Sequence, residues 1–300
     1  MPVSSLKYPL GLGWNAGNIR PIDSKSYIQT GLVAHYDGID NGGYGIHTTS
    51  TKITDVSRNC GSLASATSVT ANSYKLTAQG TSPRFYASSW TPIYQAITSY
   101  NFSIEWLGVP NATNNNNYST LLHAPLLYNA EGNAAGEIRL RFCFKNTEAS
   151  YRKILLMVRA PNQTEEEALK ITGVTDPEMP EMYTSYGSLK RFVVTVSTDP
   201  ETNTRHISFV TRTASYECDK EIVSEPLWPA TPSKGVYSDA RRIFFGGSAT
   251  SLDEPISSTS ALPIGQRLYG TWHCLRIYSR ALGKDEIKYN EYIDKKRFEV

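Results

Sequence analysis

The chain has 300 residues, 40% hydrophobic and 19% charged, with a formal net charge of +2 at pH 7. That composition buries a real core, and so small a charge gives no field for nucleic acid or an anionic membrane surface. The longest apolar runs, such as 154–158 and 192–196, are of strand length, far short of the ~20 residues a membrane-crossing helix needs.

Residues 1–29 hold Pro2, Pro9 and Pro21 and show neither the period of a strand nor that of a helix, which predicts an irregular arm. Its apolar residues, Leu10, Leu12 and Trp14 among them, are too many for a solvated tail. The arm is expected to dock on a partner subunit or on the flank of its own domain. No uninterrupted apolar segment follows a basic start here, so no secretory signal is expected.

From residue 30 to 300 the pattern is one of short strands and turns, read as one domain. Leu32 to Tyr36 form a buried-strand run that breaks into Asp37-Gly38-Ile39-Asp40-Asn41. Two readings stand there. Asp37, Asp40 and Asn41 offer hard oxygen ligands that Ca2+ takes together with backbone carbonyls. The commoner alternative is a turn, with Asp37 capping amides and Gly38 at positive φ.

Further on, 99–109 alternates with Phe102, Ile104 and Trp106 on one face, and 137–145 places Ile138 and Leu140 opposite Arg139 and Arg141, the pattern of a half-buried strand. Between them the Asn-rich stretch 111–119 supplies donors and acceptors for sugar hydroxyls through Asn114, Asn115 and Asn116, with Tyr118 as a stacking ring. A strand at 153–161, a short helix at 164–170 and a hairpin at 191–213 turning at Asp199-Pro200 follow. Trp228 falls in a Pro- and Ser-rich loop at 219–240 and is a second candidate aromatic platform. Strands at 241–248 and 268–279 precede a helix with Gly283 at its N-cap, Asp285 and Glu286 in its first turn, and an apolar stripe of Ile287, Tyr292 and Ile293.

The four cysteines, Cys60, Cys143, Cys218 and Cys274, have no zinc-type spacing and read as free thiols. The histidines form no metalloprotease arrangement, and no Gly-x-Ser-x-Gly is present.

The opening GLVAHYDGIDN, the segment ITDVSRNCGSLAS and the closing GTWHCLRIYSRALGKDEIKYNEYIDKKRF together resemble the laminin G-like branch of the concanavalin A-like lectin/glucanase superfamily. The resemblance implies an all-β jelly-roll sandwich of two antiparallel sheets with a short C-terminal helix. The superfamily also includes glucanases with alternating carboxylates on one strand, and Glu217, Asp219 and Glu221 have that spacing. The intervening Lys220 and the polar surroundings argue instead for a solvated edge. The expectation is a non-enzymatic structural and recognition module on a particle or cell surface, foremost a phage virion, with protein subunits and glycans as partners and a homo-oligomeric state. A secreted or cell-surface adhesion protein and a glycoside hydrolase are the alternatives.

Overall fold

The computed structural model describes residues 22–43, 50–72, 75–78, 85–88, 92–110, 119–128, 134–143, 153–159, 163, 167–175, 189–213, 217–224, 228, 242–246 and 270–298. Leu10, Leu12, Trp14, Asn114, Asn115, Asn116 and Tyr118 lie outside them.

The fold is the expected antiparallel β-sandwich with a C-terminal helix. One sheet runs β1 (Leu32–Asp37), β15 (Gly270–Tyr278), β6 (Phe102–Pro110), β11 (Lys190–Thr198), β12 (Arg205–Arg212), β13 (Glu217–Ser224). The other runs β10 (Leu169–Thr175), β9 (Lys153–Arg159), β8 (Ala134–Cys143), β7 (Ser119–Tyr128), β14 (Arg242–Phe245), β5 (Phe85–Ser88), β3 (Leu63–Asn72), with β2 (Ser50–Ile53) on β3. β4 (Lys75–Ala78) pairs with both β3 and β15 and so stitches the two sheets along one edge.

At the far edge the sheets close face to face: Lys220 Nζ of β13 donates to the Gly173 carbonyl of β10 at 3.0 Å. The alternation read from sequence decides what meets inside. Phe102, Ile104, Trp106, Phe192, Val194, Val196, Ile207 and Phe209 from one sheet pack on Leu140, Ile154, Leu156 and Val158 from the other in a single core.

α1 (Gly38–Gly43) follows β1, and α2 (Pro92–Thr98) precedes β6, with Pro92 at the first helical position where its missing N–H costs nothing. α3 (Lys284–Phe298) packs on the outer face of the β15–β6–β11–β12 sheet, its Ile287 and the preceding Leu282 lying against Val193, Val210 and Tyr278. Glu286 Oε2 accepts from the Gly283 N–H at 2.9 Å, closing the helix start as the sequence predicts.

Several expectations are corrected. The helix at 164–170 does not survive where the chain is described: Leu169 and Lys170 enter β10, paired with Val158 and Met157, so sheet pairing decides the conformation of these two residues. The loop begun at 219 is β13 as far as Ser224. Tyr292 is 52% exposed rather than part of the buried stripe. The outward side of β8 is not solvated, since Arg139 and Arg141 are 8% and 3% exposed.

Candidate functional site

Asp37 ends β1 fully buried. Its Oδ1 accepts the Asp40 N–H at 3.0 Å, the N-terminal cap of α1, and its Oδ2 accepts from Arg297 at 2.8 Å. Burial would raise its carboxyl, but His35 and Arg297 hold it below the usual range. Asn41 spends its amide on the Asp37 and Thr54 carbonyls and takes the Thr54 N–H at 2.8 Å. Arg297 already faces both carboxylates, at 2.8 Å from Asp37 and 3.4 Å from Asp40, and with Asn41 tied to Thr54 the three residues join β1, β2 and α3 at a corner. The capping role of Asp37 is the one predicted. Gly38, however, opens a short helix and is absent from the positive-φ glycines, Gly31 and Gly246. Among the described residues no cluster of three His, Cys, Asp or Glu could hold a metal ion.

The next joint is Asp55, within the segment ITDVSRN. Its oxygens accept from the His35 N–H (2.8 Å), the Ser57 N–H (3.0 Å) and the Cys60 N–H (2.7 Å), while Asn59 Nδ2 donates to the Leu32 carbonyl at 2.7 Å. This pins the 55–60 loop against β1 and leaves Arg58 in the left-handed region, φ 63°. That region is costly for a non-glycine residue.

Beside the loop, the described end of the arm docks on α3. Tyr27 Oη donates to Asp294 at 2.9 Å, and the Ile28 N–H donates to Asn290 Oδ1 at 3.0 Å. Between arm and loop opens a cleft of about 330 Å³, lined by Ser24, Lys25, Gln29, Leu32, Val56, Ser57 and Arg58. Leu32 and Val56 give it an apolar wall, while two hydroxyls, an amide and two cations supply hydrogen-bonding groups. Neither Lys25 nor Arg58 forms an ion pair, because Asp23 caps the 3-10 turn at Ser24–Ser26 and Asp55 is taken up behind Ser57. Sequence reasoning missed this cleft, since its walls come from two segments that only folding brings together.

The carboxylates of the hydrolase reading lie elsewhere. Glu217, Asp219 and Glu221 all point to solvent from β13, their side chains 72%, 47% and 64% exposed. Asp219 is bound by Arg212 and Glu221 by Lys284. The intervening Lys220 faces β10.

A buried carboxylate does sit on the outer face of the second sheet. Glu137 is gripped by His123 Nε2 at 2.9 Å, Arg139 at 2.8 Å and Arg159 at 3.0 Å. Burial raises its carboxyl, yet the His123 hydrogen bond and the two guanidiniums bring it down to about 2. Burial and Arg139 push His123 down to about 4, so at neutral pH the ring is uncharged and donates from Nε2. A carboxylate so held is ionised, the opposite of a general acid.

Trp228 is only 7% exposed. Its ring meets Tyr100 edge to face at 5.0 Å, and its Nε1 donates to Ser224 Oγ at 3.2 Å. Tyr94, on α2, is also buried. The described cysteines, Cys60, Cys218 and Cys274, form no disulfide.

No family model matches the chain, and no curated protein matches it. Solved structures do. The chain is similar to the Trypanosoma rangeli sialidase in complex with sialic acid at TM-score 0.49 and 14% identity, over 89% of this chain and 33% of that one. It therefore spans about a third of the length of that sialidase. It is also similar to the Ruminococcus gnavus IT-sialidase CBM40 bound to α2,3-sialyllactose (TM-score 0.32, 11% identity, 64% of this chain and 83% of that one). Peanut lectin follows at TM-score 0.29 and 10% identity, over 68% of this chain and 83% of that one. These are likenesses of overall fold, and function has to be argued from the site.

Proposed function

We infer that the chain is a non-catalytic, lectin-like recognition module that binds glycan in the cleft between its arm and the 55–60 loop. The observation that supports this most is the cleft itself. Its roughly 330 Å³ falls in the range of small-ligand sites, and it sets an apolar wall of Leu32 and Val56 against Ser24, Gln29, Ser57, Lys25 and Arg58. A sugar ring offers the matching surface, an apolar face edged by hydroxyls.

The non-catalytic reading draws support from the carboxylates. Those with glucanase spacing are solvated on an edge strand, and Glu137 is kept ionised by His123 and ion pairs to Arg139 and Arg159. Within this reading the laminin G-like resemblance stands as the family proposal. Display on a virion or cell surface is its setting, with Leu10, Leu12 and Trp14 of the arm as the contact to neighbouring subunits. Tyr27 and Ile28 anchor the arm on α3, so the residues before them leave from a fixed point.

The test is a glycan array followed by titration of Arg58→Gly and Lys25→Gln against the best binder. Glycine relieves the left-handed backbone at 58, so this variant should keep or raise its melting temperature while losing about tenfold in affinity. Unchanged affinity in both variants would remove the cleft from the proposal. The assembly role is tested by light scattering of the full chain and of one lacking residues 1–21. An oligomer that becomes monomeric on deletion supports it, and equal masses refute it.

A further inference from the structure

Five of the described buried arginines meet carboxylates. Arg139 meets Glu137, Arg191 meets Glu105 and Asp294, Arg212 meets Asp219, Arg276 meets Glu105 and Asp294, and Arg297 meets Asp37. Arg205 meets none. At 5% exposure it has no carboxylate partner, and lies over the rings of Tyr100 (5.2 Å) and Trp228 (5.7 Å). A buried cation without a counter-ion is costly, and aromatic faces offset only part of that cost.

Its donors are used unevenly. Nη1 donates to the Asn203 carbonyl and, at 2.7 Å, to the Asn203 side-chain oxygen. Nε is buried with no acceptor, and Nη2 donates to nothing. The Nε and Nη2 hydrogens form one edge of the guanidinium, the fork that takes both oxygens of a carboxylate. Arg205 is held for that task. The β11–β12 turn is tied by the Asn203 N–H to the Asp199 carbonyl (2.8 Å) and the Asp199 N–H to the Thr204 carbonyl (2.9 Å), which fixes Asn203 at φ 56° beneath Nη1.

We propose that the free edge of Arg205, beside Tyr100 and Trp228, is a binding site for the carboxylate of an acidic sugar residue. The choice of a sugar acid rests on the recognition reading above, while the carboxylate rests on Arg205 alone. Strand register puts the two sites at the same end of one sheet, since Leu32 pairs with Tyr278, Tyr278 with Ser103, and the β6 start with the β11 end beside Arg205. Four strand steps separate them, about 19 Å.

The probe is glucuronate, with glucose as its neutral counterpart, titrated into the full 15N-labelled chain. The Trp228 indole signal is identified by Trp228→Phe, and the Val56 and Arg58 amides report on the cleft. Glucuronate should shift the Trp228 indole where equal glucose does not. Arg205→Lys, which keeps the charge but not the fork, should weaken that shift about tenfold with the melting temperature retained. A wild-type response in Arg205→Lys, equal responses to glucose and glucuronate, or no shift at Trp228 would each overturn the proposal. So would triglutamate binding more tightly than glucuronate, which would assign the site to an acidic protein segment. Cleft amides that respond while Trp228 stays silent would sink this inference and leave the glycan reading standing. Trp228 responding while the cleft stays silent would do the reverse.

Discussion

At the scale of single residues, the organising feature is charge that is buried and answered. Under α3, Arg276 donates from Nε to Glu105 at 2.7 Å and from Nη1 and Nη2 to the two oxygens of Asp294, both at 2.7 Å. Its guanidinium lies 4.0 Å from the centre of the Tyr27 ring. Arg191 joins the same two acids, and Asn290 Nδ2 bridges Glu105 and Tyr278. Removing one partner of such a set strands buried charge. Arg276→Met should therefore cost about 3–5 kcal/mol in urea unfolding. Glu217→Gln, on the exposed edge, should stay within about 0.5 kcal/mol. Because Arg297 fills the place beside Asp37, calcium should leave the melting temperature unchanged. A rise of several degrees on adding calcium would restore the metal reading of Asp37, Asp40 and Asn41. None of the α3 network was legible in the sequence. Alternation separates Glu105 from Ile104 and Trp106, but it is silent on whether the polar side meets water or a helix 180 residues away.

At the scale of elements, long periodic stretches were readable and short ones were not. β1, β6, β8, β9, the β11–β12 hairpin, β15 and α3 each carry an apolar rhythm or a capping signal that the fold keeps. β2 to β5 are short or rich in Ser and Thr, and α1 and α2 have six and seven residues, too few for a helical period to show. What joins the elements is equally invisible to period. Gly173 in β10 lies beneath the Phe209 ring of β12, where an added Cβ would come within 2.7 Å of ring carbons. Gly173→Ala should then destabilise by about 1–3 kcal/mol through overpacking. Adding Phe209→Leu should recover part of that loss, because the smaller side chain leaves room. Additive losses in the double variant would mean the two sheets do not meet at this point.

At the scale of the whole molecule, both outer faces carry buried ionisable groups, which makes acid the natural probe of the fold. Two pH windows should separate. His123, down at about 4 when folded, refuses a proton that the unfolded chain accepts near pH 6.5. Unfolded protein thus binds more protons between those values, and stability must fall as pH drops from 6.5 towards 4, by on the order of 2–3 kcal/mol. Burial raises Asp294 and Glu137, but their arginine partners, with His123 also on Glu137, bring both down to about 2. Their contribution is complete above about pH 5, and is lost as pH falls through 4 towards 2. Urea midpoints measured at half-unit pH steps should show the two declines in sequence, and His123→Asn should flatten the upper one while also shrinking the Glu137 share of the lower one, leaving that of Asp294 in place. Because Asp294 anchors α3 and Tyr27 while Glu137 anchors the opposite sheet, tryptophan fluorescence and far-ultraviolet circular dichroism should fall together in the lower window. A lower transition seen by one probe and not the other would mean that α3 leaves the sandwich before the sheets part.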